Sequence, residues 1–449
     1  MPGLSQCGLK KLNLPGMKGK YAGYREEHVH IKIPSKGKYL MTPKILIIVG
    51  KGAAVEVYGI PVIRRLVLLA KKLEAKEIFC LFLPDCIEYR KIVSDLVPPD
   101  HFASAIDFLD NGRKILDSWF EENEDVIVLQ ANIAIDRLSF SKLLWHISNN
   151  ITLLVDSLEK RKNQALAVKV PGNIPERTSV LEATIKKMIS TGSLPADIAE
   201  RVDIIAASPG LPYPVSEDPT SVVEAEKRLM DSLGLQTAET DGFMARNFDR
   251  HISRFFSKRL VKTGLHPNWF TIMGMSIGLL GAWFISQPGY SQRLLGSLLF
   301  VFCIMVDGVD GEIARLTLKD STFGHYFDIV TDNIVHAAIF VALPVSFYRE
   351  TGNNIYLKSL WILLIGVAFA AFSAYYCIFR VEHRYNKKIL TVFDKLASRD
   401  FAYLIALLAL INKLQWFLWG ATFGSYLFGI ILWILYLRSS SLTRGYNKV

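Results

Sequence analysis

Four aspartates fall where the chain is otherwise turning apolar. Asp307, Asp310, Asp328 and Asp332 lie within DGVDGEIARLTLKDSTFGHYFDIVTD, residues 307–332, together with three glycines and one arginine. On a helix, at about 100° per residue, Asp307, Asp310, Gly311 and Ala314 share one face. Gly324, Asp328 and Asp332 are spaced four apart and form a stripe on a following helix. Two antiparallel neighbours joined by a short link would aim all four acids at one point. An aspartate at the bilayer centre costs roughly 2.5–3.5 kcal/mol, less near the interface. Arg315 and Lys319 cannot neutralise four converging carboxylates, and acids that are simply solvated need no common face. A hard divalent cation held by oxygens resolves the repulsion. A divalent ion in a pocket at the membrane surface suits chemistry on a phosphate. Gly311 and Gly324 would let helix backbones, or a ligand, come close.

The elements that must position these acids are apolar helices. Six apolar stretches run near residues 269–287, 293–312, 326–347, 357–379, 400–414 and 417–437. Most approach the roughly 20 residues that span a bilayer as a helix; the fifth is short. With the N-terminus inside, the inner segments carry sixteen Lys and Arg against four in the outer links, Arg293, Arg349, Lys358 and Lys413. That asymmetry predicts cytoplasmic N- and C-termini. It also puts the four aspartates at or just below the cytoplasmic surface. The opening MPGLSQCGLKKLNLPGMKGKYAGYREEH lacks the apolar core of a signal peptide, so the early chain is expected to stay where it is made.

Asp307-x-x-Asp310-Gly311-x-x-Ala314-Arg315, eight residues, then Gly324-x-x-x-Asp328-x-x-x-Asp332 resembles in full the signature of the CDP-alcohol phosphotransferases (phosphatidyltransferases). LHPNWFTIMG, residues 265–274, is similar to the Pro-Asn-x-x-Thr stretch that opens the first membrane helix of that family. The resemblance covers residues 240–440 and implies a homodimeric, all-α six-helix transmembrane domain. It implies that the aspartates bind Mg²⁺ or Mn²⁺, with Ca²⁺ as a stand-in, and that the metal holds the diphosphate of a CDP-linked donor. It assigns Asp332 as general base toward an acceptor hydroxyl, with CMP leaving. Gly311, Ala314, Arg315 and Gly324 would shape the cytidine-nucleotide pocket. In FRVEHRYNKK, residues 379–388, Arg380 and Arg384 would clamp an acceptor phosphate, because the guanidinium fork donates in pairs. The same cations also suit plain membrane anchoring.

The first half reads differently. KILIIVG (44–50), IFCLFLP (78–84), DVIVLQA (125–131) and ITLLVDS (151–157) have the β-branched, apolar character of buried strands. PVIRRLVLLAKKLEAKE (61–77) has helical periodicity, with Val62, Leu66, Leu69 and Leu73 on its apolar side. Such alternation predicts a soluble α/β domain with a mainly parallel sheet. The organisation expected is an extension over 1–43, the α/β domain over 44–240, a juxtamembrane amphipathic helix over 241–262 and the membrane domain over 263–440. The first strand and its Gly50-Lys51-Gly52 turn resemble a sugar-phosphate nucleotidyltransferase, as fused ahead of the membrane enzyme in relatives of di-myo-inositol-phosphate-phosphate synthase. Two features depart from that resemblance. The glycine loop is short and lacks a following arginine, and Gln130, Ala131 and Asn132 stand where a metal-binding Asp is expected. The domain is therefore expected to be inactive in nucleotidyl transfer.

Composition narrows the alternatives. The net charge of +10 is not gathered into a basic stripe interleaved with aromatics, so no nucleic-acid partner is expected. Cys7, Cys80, Cys86, Cys303 and Cys377 have neither disulfide nor zinc spacing. The reading is an integral membrane transferase of phospholipid or inositol phosphodiester synthesis, moving a substituted phosphate from a CDP-alcohol to an alcohol acceptor. Two rivals are a bifunctional chain that also makes the CDP-alcohol from CTP, and a cation transporter. Against the transporter, the acids cluster near one surface and no second half repeats the pattern.

Overall fold

The computed structural model describes residues 42–121, 123–157, 167–191, 202–237, 248–379 and 401–446. Its first part is an α/β layer. Strands β1 (Lys44–Val49), β2 (Ile78–Phe82), β3 (Phe102–Ser104), β4 (Val126–Gln130), β5 (Ile151–Val155), β6 (Ala167–Val170) and β7 (Val202–Ala206) form one sheet in the order β7-β5-β6-β4-β1-β2-β3. β6 alone runs antiparallel to its neighbours β4 and β5; the other pairings are parallel. β1, β2 and β5 are buried throughout and β4 nearly so, as their unbroken apolar runs require, whereas β3 and β7 at the two edges are only partly covered. Along β1, Ile45, Ile47 and Val49 enter one core, while Leu46 and Ile48 enter the core on the opposite face.

The four strands expected from the sequence are present. β3, β6 and β7 were not foreseen, because three to five residues with charged or small members give a weak alternating signal. Helix α1 (Val62–Lys72) buries Val62, Leu66 and Leu69 as its periodicity predicts. It is followed by α2 (Ala105–Trp119), α3 (Arg137–Trp145), α4 (Arg177–Thr191) and α5 (Pro219–Thr237).

The second part is helical: α6 (Arg250–Leu260), α7 (Pro267–Ser286), α8 (Tyr290–Leu316), α9 (Thr322–Thr351), α10 (Ile355–Ala374), α11 (Phe401–Leu410) and α12 (Leu414–Tyr446). Among the described residues, α7, α8, α9, the stretch Ile355–Cys377 and Leu414–Leu437 are long and apolar enough to cross a membrane. The described part of α11 has 10 residues, about 15 Å of helix, which is half a hydrocarbon core. Large apolar side chains such as Leu280, Trp283, Ile365 and Leu427 point outward, as lipid-facing surfaces do in an integral membrane protein.

Met41–Val449 clusters as one compact unit. The α/β layer meets α8 at the end that carries the aspartates. Val309, Ile313 and Leu316 of α8 share an apolar cluster with Val57, Tyr58, Val62, Leu211 and Val215 of the α/β layer. Arg65 on α1 is buried, and burial pulls its guanidinium down to about 10, so it remains charged at neutral pH.

Candidate active site

Helix α7 carries the geometry. It is the principal backbone neighbour of both α8 and α9, while α8 and α9 meet through side chains, with Phe300 edge-on to His336 and Arg293 paired with Glu350. Small residues explain the arrangement. A Cβ on Gly278 of α7 would lie 2.5 Å from Val335 of α9 and 2.9 Å from Cys303 of α8, so three helices converge there.

Asp307, Asp310 and Asp328 each offer a carboxylate oxygen, and these oxygens lie within 4.8 Å of one another. Asp310 is buried; the other two are half-buried. The Asp310 carboxylate accepts from the Gly311 amide at 2.5 Å and from the Thr271 hydroxyl on α7. Pro267 starts α7, and Thr271, four residues on, is the member of the Pro-Asn-x-x-Thr stretch that touches an acid. Asp332 is half-buried one helical turn, about 6 Å, beyond Asp328 on α9 and is not in the three-acid group.

Among the described residues, an added Cβ on Gly311 would meet one atom within 4 Å, Nη2 of Arg315 at 3.2 Å. No described residue of a neighbouring helix comes within 4 Å of that Cβ position. Arg315 folds back so that its Nε donates to the Gly311 carbonyl at 3.0 Å; Ala314 is half-buried alongside. Gly324 lies in the first turn of α9, where its amide donates to the Ser321 cap at 3.0 Å. A Cβ there would stand 3.5 Å from Oδ1 of Asn268. Arg380 and Arg384 lie outside the described residues.

Glu312, between the signature positions, points the other way and was not singled out from the sequence. It is buried, and its carboxylate accepts from Ser253 at 2.9 Å and Ser257 at 2.8 Å of α6, with Arg250 at 3.4 Å. The clue was available: Ser253 and Ser257 are four apart on one face of a basic amphipathic helix. Glu312 thus ties α6 to the back of α8, opposite the aspartates.

A set of three carboxylates is a hard, all-oxygen donor group of the kind that Mg²⁺, Mn²⁺ and Ca²⁺ prefer. Oxygens within 4.8 Å of each other are grouped closely enough to serve one metal ion together. The residues present therefore fit a divalent cation.

In the α/β layer, Gly52 has φ +84°, and a Cβ there would lie 2.7 Å from the Val215 carbonyl. Asn132, just after β4, accepts from the Val215 amide through its carbonyl at 2.6 Å. The glycine turn and the residues after β4 are thus both packed against the 213–215 segment.

Residues 264–436 match the CDP-alcohol phosphatidyltransferase family. A bifunctional IPC transferase and DIPP synthase from Aquifex aeolicus is 29% identical over 150 residues, 33% of this chain and 34% of the relative. Its counterpart from Archaeoglobus fulgidus is 36% identical over 115 residues, 25% of this chain and 22% of that protein. A CDP-diacylglycerol–serine O-phosphatidyltransferase from Helicobacter pylori is 29% identical over 189 residues, 41% of this chain and 74% of that enzyme. The alignments with the two bifunctional relatives span about a third of their length or less.

Proposed function

We propose that the chain is a divalent-metal-dependent CDP-alcohol phosphotransferase of the membrane. The observation that carries this reading is the convergence of Asp307, Asp310 and Asp328, inside the stretch that matches the family. Asp307, Asp310 and Asp328 hold Mg²⁺ or Mn²⁺. When bound, the ion offsets the charge of the donor diphosphate and polarises the phosphoryl group being transferred. Gly311, Ala314, Arg315 and Gly324 line the place of the cytidine nucleotide. Asp332 takes the proton from the acceptor hydroxyl as the new P–O bond forms and the bond to CMP breaks. In this reading Asp332, one turn beyond Asp328 and outside the three-acid group, serves the acceptor more than the metal.

Arg380 and Arg384 are assigned to an acceptor phosphate on the strength of the sequence alone. The active site and both termini face the cytoplasm, as the Lys and Arg asymmetry indicates. The membrane domain pairs as a homodimer among lipids. The partners are a CDP-alcohol donor and an alcohol or phospho-alcohol acceptor, without nucleic acid.

The α/β domain does not perform nucleotidyl transfer in this reading, because Gln130, Ala131 and Asn132 offer no carboxylate to a metal. The bifunctional relatives favour the alternative that it does. Supplying CTP and an alcohol phosphate to the full-length protein separates the two: pyrophosphate release would establish the bifunctional reading. The transferase reading is tested by incubating purified protein with CDP-linked donors and acceptors. CMP should appear with Mg²⁺ or Mn²⁺ and stop with chelator. Cation flux with no CMP release from any donor would overturn it.

A further inference from the structure

The link between α8 and α9, residues 317–321, is held by the α/β domain from several directions. Leu318 adopts φ +53°, a left-handed conformation that a branched side chain rarely takes. Around it the Lys319 amide donates to the Ala314 carbonyl at 2.9 Å and the Leu318 amide to the Arg315 carbonyl at 3.4 Å. This is the helix ending at which glycine is the usual occupant. Leucine stands there instead, and its side chain packs against the α/β core cluster that contains Leu66, Leu69, Ile133 and Ile135. On one side of it, the buried Arg65 donates to the Leu316 carbonyl at 2.6 Å, an otherwise orphaned group at a helix end. On the other, Lys72 donates to the Asp320 carbonyl and carboxylate, both at 2.7 Å, and Arg137 reaches the same carboxylate at 3.3 Å.

The surface making these contacts is informative. In parallel α/β sheets ligands bind outside the carboxyl ends of the strands. Here the segments that follow β1, β4 and β7 supply Val57, Tyr58 and Val62, Ala134, and Leu211 and Val215, and these pack on Val309, Ile313 and Leu316 of α8. Much of the edge that would ordinarily receive a small ligand receives a membrane helix.

We propose that the α/β domain is an intramolecular clamp that sets how α8 and α9 face each other, with Leu318 as its plug and Arg65 and Lys72 as its ties. The clamp matters to function because Asp307 and Asp310 stand on α8 while Asp328 stands on α9. Their oxygens meet only if the two helices keep one angle; both backbones pack on α7, Phe300–His336 and Arg293–Glu350 join the helices farther along, and the clamp acts at the linked end that carries the acids. Leu318, Arg65, Lys72 and Arg137 are positioning residues. The clamp stands on these contacts; its consequence for the metal rests on the transferase reading.

The test measures geometry and metal separately in the full-length protein. Spin labels at positions 298 and 330, exposed on α8 and α9, report the distance between the helices. Manganese binding to the protein without substrate is followed by electron paramagnetic resonance. Leu318→Gly removes the plug and at the same time relieves the left-handed backbone. The clamp requires a broadened distance distribution in Leu318→Gly and in Arg65→Met, with Mn²⁺ affinity about tenfold lower. Arg65→Lys, which keeps a donor, should retain much of the narrow distribution. A helix cap with no clamping role would leave Leu318→Gly as narrow as the native protein, or narrower. An unchanged distribution in both Leu318→Gly and Arg65→Met overturns the clamp, whatever the metal does. Absence of Mn²⁺ binding in the native protein would contradict the transferase reading, while the distances still decide the clamp.

Discussion

The Thr271 hydroxyl on α7 donates to the carboxylate of Asp310 on α8, the buried member of the three-acid group. One hydroxyl therefore joins the opening motif of the first membrane helix to the centre of the site. Partners that orient a metal ligand typically contribute 10–100-fold to affinity or activity. Thr271→Val, which keeps the shape and removes the donor, should weaken Mn²⁺ binding about tenfold and leave thermal stability nearly unchanged. Titration with Mn²⁺ beside a thermal melt checks both halves.

Glu312→Ala should detach α6 from α8. It leaves two serine hydroxyls and a guanidinium facing a gap that a buried carboxylate filled, and breaking such a group costs about 3 kcal/mol or more. Limited proteolysis between α6 and α7 should become faster, and the melting temperature should fall. Glu312→Gln, which can still accept from both serines, should lie between Glu312→Ala and the native protein.

Gly296→Ala should disturb the contact between α7 and α8. An added Cβ would stand 2.5 Å from the Gly281 carbonyl oxygen and 2.6 Å from the Ile285 amide nitrogen, and neither backbone atom can swing aside. Overpacking of this kind costs about 1–3 kcal/mol. The same change at Gly264, where no described residue lies within 4 Å of an added Cβ, meets no such clash but carries left-handed strain at φ +69°. Size-exclusion profiles and melts in one detergent should show Gly296→Ala aggregating sooner than Gly420→Ala, whose Cβ is also in open space without that strain.

Acid should loosen the α/β layer through Glu124. Burial acts to raise its pKa, but Lys76 at 2.5 Å and Lys44 at 3.0 Å outweigh that and hold the carboxyl below its ordinary value of 4.5. A carboxylate with a depressed folded pKa gives stability that is complete above the ordinary value and is lost as pH falls through the folded one. The loss therefore begins below about pH 4.5 and not near neutrality. Glu124→Gln should lower stability at pH 7 and flatten its decline between pH 5 and 3. Thermal melts across that range, read at the tryptophans, check the sign.

The sequence made the acidic site legible because its information is local. Aspartates at fixed helical spacing share a stripe whatever surrounds them; of the four acids expected to meet at one point, Asp307, Asp310 and Asp328 come together and Asp332 stands outside their group. The route by which the stripes meet was not legible, since it depends on Gly278 and the other small residues of α7, which read from sequence as ordinary membrane-helix content. Glu312 was missed for a related reason: its role is fixed by serines some 55 to 59 residues away. In the α/β layer, long apolar strands such as β1 could be read directly, whereas β6 and its antiparallel pairing are set by tertiary contacts. Leu318 gave no signal, because a leucine after a helix looks unremarkable until its φ is known.

The most direct measurement is CMP release by Asp332→Asn and Asp328→Asn set beside their Mn²⁺ binding. With native protein, Mn²⁺ and a CDP-linked donor plus acceptor, CMP should form. Asp328→Asn should lose both CMP release and tight Mn²⁺ binding. Asp332→Asn should keep Mn²⁺ binding close to native while CMP release falls at least 100-fold, the scale expected for loss of a general base. Native rates of CMP release in either variant would contradict the assignment of these aspartates to metal and proton transfer.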